Sequence, residues 1–221
     1  MPGRPVAEES FKSAENEWFE RYKNGPRRTR IDKLPPQEGD PAPDFRLKDQ
    51  TGRVRRLSEF WKAKPALILF WRQFGCGCGI GRAERLREEN DSYMRAGAEV
   101  VIVGQGEPVR AKIYAEKYSI PCPILSDPGF RAYKAYGLRE GGPVEINYDA
   151  PEKLFHCDPQ AGVELQRARR EAGRPLVDNP WQLPGEFVIS PAGLIRFAYR
   201  YQYCDNYPNP LVLISAIKDV V

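Results

Sequence analysis

Two cysteines separated by a single residue, Cys76 and Cys78, are the residues of this chain whose types and spacing point most directly to chemistry. They follow an apolar run at 66–71, which is typical of a buried strand, and precede a segment at 80–96 whose apolar residues recur with helical spacing. The pair is therefore predicted to lie on a strand-to-helix turn. Unpaired backbone N–H groups and the helix dipole at such a turn favour an anion, which lowers the pKa of a thiol and makes it nucleophilic.

The spacing of the two cysteines also limits the disulfide that they can form. Cysteines this close can be joined only in a small ring, and Gly77 supplies the backbone freedom that the ring needs. Such a bond departs from relaxed disulfide geometry and is expected to be readily reduced. It suits a bond that is made and broken in each reaction cycle. The alternative interpretation is that both cysteines are inert small residues in a tight turn.

Composition and charge exclude several classes of protein. The chain has 221 residues, 34 basic and 30 acidic, and a net charge of +4, which is too even a balance to indicate nucleic-acid binding. No run approaches the roughly 20 apolar residues needed to span a bilayer. The first residues lack the apolar segment of a secretory signal, so we expect a cytoplasmic protein. Five cysteines do not indicate a disulfide scaffold.

The order of predicted elements indicates an α/β fold with an added N-terminal segment. Residues 1–38 are predicted to form a helical arm with a Pro-rich linker, and residues 39–221 the main domain, with an insertion at 139–180. The arm helix carries Trp18 and Tyr22 on one face, which must pack either on its own domain or on a partner subunit. In the main domain, strands alternate with helices before a terminal hairpin and helix, which predicts a mixed sheet.

Four segments of the chain resemble those of a known family. Residues 39–45, 123–128 and 187–193, together with their order, are similar to stretches of the peroxiredoxin (AhpC/TSA) branch of the thioredoxin-fold superfamily. The turn at 72–79 resembles the Arg-x-Phe-Gly-Cys-x-x-Cys motif of a peroxiredoxin-like branch. The resemblance implies a thioredoxin-like mixed sheet flanked by helices, with the arm added at the N-terminus and the insertion placed before the last strand pair.

The chain departs from the family pattern in informative ways. Alignment with the Pro-x-x-x-Thr-x-x-Cys motif of peroxiredoxins puts Arg72 at the Pro, Cys76 at the Thr and Gly79 at the peroxidatic Cys. The Arg that peroxiredoxins carry before a later strand is replaced by Pro184, so that Arg72 or Arg82 would have to supply the cation. Pro184 instead resembles the cis-Pro of thioredoxin-like reductases, which faces the active cysteine and binds extended substrate chains.

The resemblance implies a thiol-dependent oxidoreductase with antioxidant activity. In this interpretation the Cys76 thiolate attacks a peroxide or a disulfide and Cys78 resolves the product, while Arg72 and Pro184 complete the predicted site. The reverse assignment stays open, because alignment with thioredoxin puts Gly75 and Cys78 on its two cysteines. The resemblance further implies a thiol reductant or thioredoxin-type electron donor, no cofactor and no metal. It also suggests a homodimer in which the arm helix of one subunit packs on the other.

The sequence is also compatible with three other functions and with other residues in the site. The alternatives are a thioredoxin-like disulfide reductase without peroxidase activity, a non-catalytic module that binds a metal or a partner, and an enzyme for a dedicated small molecule shaped by the insertion. Cys157 and Cys204 are alternative resolving residues and His156 an alternative base, whereas Cys122 is more typical of a core position. A zinc site would have to combine Cys76, Cys78, His156 and Cys157, whose spacing differs from common zinc motifs.

Overall fold

A mixed β-sheet forms the centre of the molecule. The computed structural model describes residues 4–27, 32–147, 152–173 and 178–221. In this part of the chain the sheet has seven strands in the order β2-β1-β5-β4-β3-β6-β7, of which β3, β4 and β5 run parallel. The strands are β1 (Arg46–Asp49), β2 (Val54–Arg56), β3 (Ala66–Phe70), β4 (Glu99–Gly104), β5 (Ile124–Ser126), β6 (Gly185–Ile189) and β7 (Ile195–Arg200).

Helices cover both faces of the sheet, which confirms the predicted thioredoxin-like α/β fold. The helices are α1 (Arg4–Asn24), α2 (Gly77–Arg95), α3 (Pro108–Tyr118), α4 (Arg131–Ala135), α5 (Pro143–Asn147), α6 (Pro159–Glu171) and α7 (Pro210–Lys218). Two short 3-10 turns lie at Leu57–Phe60 and Glu152–Leu154. The hairpin, the central strands and the terminal helix fall where the sequence patterns predict them, with boundaries that differ by a few residues.

Strand β3 is buried on both faces, which explains why its sequence is a continuous apolar run rather than an alternating one. Leu67 and Leu69 point into a core shared with side chains of α2 and α7. Ile68 and Phe70 point to the opposite face, into a core that includes residues of α4. Because successive side chains alternate between the faces, the strand ties the two cores together and holds the turn that follows it.

The N-terminal helix packs on its own chain. Trp18 and Tyr22 of α1 stack at 4.9 Å between ring centroids, and Tyr22 stacks in turn on Trp181 at 5.6 Å. Gly162 of α6 lies against the Tyr22 ring, and a Cβ atom there would approach the ring to 2.9 Å. The aromatic face of α1 is therefore used within the chain, so the expected exchange of this helix with a partner subunit has no support from these two side chains.

Trp18→Ala is expected to lower the free energy of unfolding by about 3–5 kcal/mol, because a fully buried indole is removed and a cavity remains. Denaturant titration followed by circular dichroism measures this loss. Trp18→Phe is the matched control, since it keeps a ring for stacking on Tyr22 and should cost less. A loss below about 1 kcal/mol for Trp18→Ala would show that α1 unfolds independently of the sheet.

Candidate active site

The two cysteines of the turn lie at the start of helix α2. Cys76 is the N-cap residue, with an extended backbone (φ −74°, ψ 138°), and Cys78 lies in the first helical turn, which begins at Gly77. The Cys76 side chain is buried and that of Cys78 is half-buried. Both sulfur atoms thus lie where free backbone N–H groups and the helix dipole stabilise negative charge.

Contacts from the sheet and from α3 give the turn its shape. The Tyr114 hydroxyl accepts a hydrogen bond from Trp71 Nε1 (3.0 Å) and donates one to the Gly79 carbonyl (2.9 Å), so it joins the end of β3 to the first turn of α2. Phe74 packs against the end of β4, where a Cβ atom on Gly104 would lie 2.7 Å from its ring. Trp71 and Phe74 are therefore structural residues, and they position the turn that carries the sulfur atoms.

Arg72 is the cation that directly contacts the cysteine sulfur atoms. Its Nη1 atom lies 2.9 Å from Cys76 Sγ and 3.4 Å from Cys78 Sγ, and Nη2 donates to the carbonyl oxygen of Pro180. The Arg72 residue is only 4% exposed. Among the ion pairs of the described residues, none joins Arg72 to a carboxylate, and Nε has no hydrogen-bond partner there. The groups that face this buried charge are thus mainly sulfur atoms.

Arg82, the other cation predicted for this role, is engaged elsewhere. Its Nε donates to Glu186 Oε1 and its Nη1 to Glu89 Oε2, each at 2.9 Å. This buried ion-pair cluster links α2 to β6, and the Arg82 guanidinium also faces the Tyr207 ring. Both acids neutralise Arg82, so its charge is not available to the cysteine turn.

Three thiols, rather than two, meet beside Arg72. Cys204, from the segment between β7 and α7, lies next to Cys78. The hydrogen bond to Cys78 and burial raise the pKa of Cys76 above its usual value, and the Arg72 charge offsets only part of this rise. The hydrogen bond to Cys204 raises the pKa of Cys78, and the same bond lowers the pKa of Cys204. The pKa values of the three thiols are therefore linked, because ionisation of one changes the hydrogen bonds and charges that the others experience.

Pro184 lies directly before β6, and the structure corrects the cis-Pro hypothesis. The peptide bonds of the described residues are all trans, including the bond to Pro184. The trans form is the more stable state of an X–Pro bond, and nothing in the sequence around Pro184 determines the rarer isomer. Pro184 nevertheless borders the thiols, because it lines a small cavity of about 20 Å³ together with Arg72, Cys78 and Cys204.

A larger cavity of about 650 Å³ opens onto the cysteine turn. Its walls away from Cys76 and Cys78 come from the arm helix, from the predicted insertion and from Trp181 directly after it. We call this wall the roof; it is formed by Trp18, Tyr22, Ile146, Leu154, Leu165, Arg169 and Trp181. These residues are not among those that the sequence patterns predict for the site. The signals that were present are the aromatic residues on one face of α1 and the aromatic and Arg-rich composition of the insertion.

The remaining sequence candidates lie away from the turn or in the core. The His156 side chain is 74% exposed and lies 3.9 Å from Glu152, so it does not serve the thiols as a base. Cys157 is half-buried and does not line the cavity, and Cys122 belongs to the core beside β4 and β5. In the described ranges no group of three or more His, Cys, Asp or Glu side chains is arranged to hold a metal ion.

Nor does any helix in the described ranges have the length and apolar character to cross a membrane.

Comparisons with known proteins give related sequences and folds. A peroxiredoxin Q from Populus jackii chloroplasts is 35% identical over 126 residues, which are 57% of each chain, and one from Triticum aestivum is 34% identical over 101 residues, 46% of each. The chain thus spans about half the length of the curated relatives it matches. The peroxidoxin BcpB of Mycobacterium tuberculosis has a similar fold, with a TM-score of 0.59 at 16% identity over 84% of this chain and 99% of that one. A thiol peroxidase from Chromobacterium violaceum gives a TM-score of 0.55 at 16% identity over 84% and 88% of the two chains.

These relatives correct the expected location. The prediction of a cytoplasmic protein is contradicted by this comparison, because the similar peroxiredoxin Q proteins are chloroplastic. The prediction relied on what the first residues lack, and a missing pattern carries no information about the compartment.

The family is established by a match that covers most of the chain. The family model for AhpC/TSA proteins matches residues 38–198, which include the cysteine turn, the central strands and the roof contributed by the insertion. The thioredoxin-like sheet and the placement of the cysteines at the start of α2 agree with this match. The chain therefore belongs to the AhpC/TSA family.

Proposed function

We propose that this chain is a thiol-dependent peroxidase in which Cys76 is the nucleophile and Cys78 the first resolving residue. The observation that carries the proposal is the buried Arg72 guanidinium, whose Nη1 atom contacts both sulfur atoms. Family membership supports the same class of activity. The proposal concerns a peroxide substrate and a thiol or thioredoxin-type reductant.

Arg72 acts on the two cysteines through its charge. A guanidinium removed from water is costly unless an anion or a full set of hydrogen-bond acceptors replaces the water. A neutral carbonyl oxygen, that of Pro180, supplies one acceptor but no charge. A thiolate on the neighbouring cysteines supplies the missing negative charge. Arg72 therefore favours the deprotonated state, which is the reactive form of a cysteine.

Cys76 is assigned as the nucleophile on three grounds. Its sulfur has the shorter contact with Arg72, 2.9 Å against 3.4 Å for Cys78. It occupies the N-cap of α2, and it lines the larger cavity through which a substrate would arrive. Cys78 also lines that cavity and lies close enough to Cys76 to share a contact with one nitrogen atom, which suits a resolving residue.

The chemical steps follow from these positions. The Cys76 thiolate attacks one peroxide oxygen, the O–O bond breaks, and the leaving oxygen takes a proton as an alcohol or water while Cys76 becomes a sulfenic acid. Cys78 then attacks the Cys76 sulfur, which forms a Cys76–Cys78 disulfide and releases water. An external dithiol reduces this disulfide and is itself oxidised. Arg72 stabilises the thiolate before the first step and again after the reduction.

A disulfide reductase without peroxidase activity is the weaker alternative. It gained support from a cis-Pro facing the active cysteine, and the trans bond before Pro184 removes that support. The exchange of the arm helix likewise gives no support to a dimer, because Trp18 and Tyr22 pack on their own chain.

The proposal is tested by treating the fully reduced protein with one equivalent of hydrogen peroxide and counting the free thiols. We expect a fast loss of two of the five thiols, because one nucleophile and one resolving residue are consumed together. Cys157→Ser is the matched control; it removes a half-buried thiol outside the cavity and should leave this fast phase unchanged. Slow and indistinguishable loss of all five thiols would refute the peroxidase.

A further inference from the structure

Cys204 is the thiol that the proposed function leaves unused, although it belongs to the same cluster. It is 126 residues beyond Cys78 in the sequence, yet it lines both cavities that Cys78 lines. Cys78 interacts with both Cys76 and Cys204. Cys78 and Cys204 also belong to the same buried cluster, so the three thiols form one group beside Arg72.

Hydrogen bonds of the Cys204 backbone and of two nearby tyrosine side chains hold this segment in position. Its N–H group donates to the carbonyl oxygen of Glu145 in α5 (3.0 Å). Before it, the Tyr201 hydroxyl donates to Glu186 (2.6 Å), and after it, the Tyr207 hydroxyl donates to the carbonyl oxygen of Cys78 itself. The segment that carries Cys204 is thus tied to the turn that carries Cys78. This placement is built by three separate contacts and does not depend on the thiol.

We propose that Cys204 is a third redox residue, which takes the disulfide over from Cys76; this inference rests on the proposed peroxidase function. The Cys204 thiolate attacks the Sγ atom of Cys78 in the Cys76–Cys78 disulfide. The bond between Cys78 and Cys204 forms as the bond between Cys76 and Cys78 breaks, and Cys76 leaves as a thiolate. No electrons are gained or lost overall, so this exchange needs no further oxidant or reductant.

Three features favour the exchange in this direction. The Cys76–Cys78 disulfide closes a small ring across a helix start, whereas Cys78 and Cys204 lie on separate segments and are free of that constraint. The positive charge of Arg72 also acts to lower the pKa of Cys204, and this effect remains when Cys78 is part of a disulfide and has no S–H to donate. Arg72, 2.9 Å from the Cys76 sulfur, stabilises the thiolate that leaves.

The exchange has a consequence that can be measured. Once the disulfide has moved to Cys78 and Cys204, Cys76 is again a thiolate beside Arg72 and can react with a second peroxide before any reductant arrives. The reduced wild-type protein should therefore consume about two equivalents of peroxide in its fast phase, and Cys204→Ser about one. Cys204→Ala should match Cys204→Ser, and the thermal unfolding of both variants shows whether they are folded.

Tryptic peptides distinguish the two disulfides directly. Cleavage after Arg72 and Arg82 leaves Cys76 and Cys78 on one peptide, 73–82, while Cys204 lies on the peptide 201–218. A Cys76–Cys78 bond is then internal to one peptide, and a Cys78–Cys204 bond joins two. We would alkylate the free thiols at acidic pH after peroxide treatment, digest and analyse by mass spectrometry. A parallel sample is oxidised with diamide, which joins thiol pairs without a peroxide step.

The expected result is the joined pair of peptides in oxidised wild type, with fragmentation that assigns Cys78, and only the internal disulfide in Cys204→Ser. The role of Cys204 would be refuted if wild type gave only the internal disulfide with both oxidants and consumed about one equivalent of peroxide. That result would leave the proposed peroxidase activity unaffected. If diamide gives the joined peptides while peroxide reacts slowly, the pairing of Cys78 with Cys204 is supported and the proposed peroxidase activity is refuted.

Discussion

Cys76→Ser is expected to lower the second-order rate constant for peroxide reduction by on the order of 10³-fold or more, because a hydroxyl does not ionise at neutral pH as a thiol does. Stopped-flow measurement of peroxide consumption under reducing conditions gives the rate constant. The substitution changes one buried atom at the N-cap of α2, and Ser is itself a favoured N-cap residue, so the fold should be kept.

Cys78→Ser is the informative comparison for this result. The first step should keep most of its rate, since Cys76 and Arg72 are both present. The sulfenic acid on Cys76 should then persist, and a dimedone-type reagent should label it. If Cys78→Ser loses the first step and Cys76→Ser keeps it, the roles of the two cysteines are reversed and the alignment with thioredoxin describes the site better.

Arg72→Met is expected to lower the rate of the first step at pH 7 by about 10²-fold, through loss of the charge that holds the thiolate. Met occupies a similar volume without charge, and it removes the contacts to both sulfur atoms. The sign of the pH effect follows directly. A cation lowers a thiol pKa, so its removal raises the pKa, and the rise of rate with pH should move to higher pH. At a pH well above the new pKa, much of the rate should return.

The pH profile separates this role from a structural one. A variant that merely distorted the turn would lose rate equally at every pH. Arg72→Lys is the control, because it keeps the charge but not the planar group that reaches Cys76, Cys78 and the carbonyl of Pro180 together. It should fall between the wild type and Arg72→Met. An unchanged pH profile in Arg72→Met would mean that another group sets the thiol pKa.

Local sequence patterns predicted the elements of the fold well. An apolar run predicted β3, helical spacing predicted α2, and the alternating segments around residues 46–56 predicted the β1–β2 hairpin. Each of these patterns reflects which faces of one element are buried, and that information lies within a few neighbouring residues. The same patterns placed Cys76 and Cys78 at the start of a helix.

The hypothesis of a cis bond at Pro184 and the prediction of a cytoplasmic protein are contradicted for different reasons. The isomer of an X–Pro bond depends on its tertiary surroundings, which the residues beside Pro184 do not encode on their own. The cellular compartment was inferred from a pattern that the first residues lack, and the chloroplastic relatives contradict it.

The sequence by itself determined the fold class, the cysteine turn at a helix start and the candidacy of Arg72. Only the tertiary structure decided that Arg72 rather than Arg82 faces the sulfur atoms, that the arm and the insertion roof the cavity, and that Cys204 stands beside Cys78. The physical reason is the distance along the chain between the partners. Glu186 neutralises Arg82 from β6, 104 residues away, and Cys204 reaches Cys78 from beyond β7. Such contacts depend on how the strands and helices pack together, and no pattern confined to one element records them.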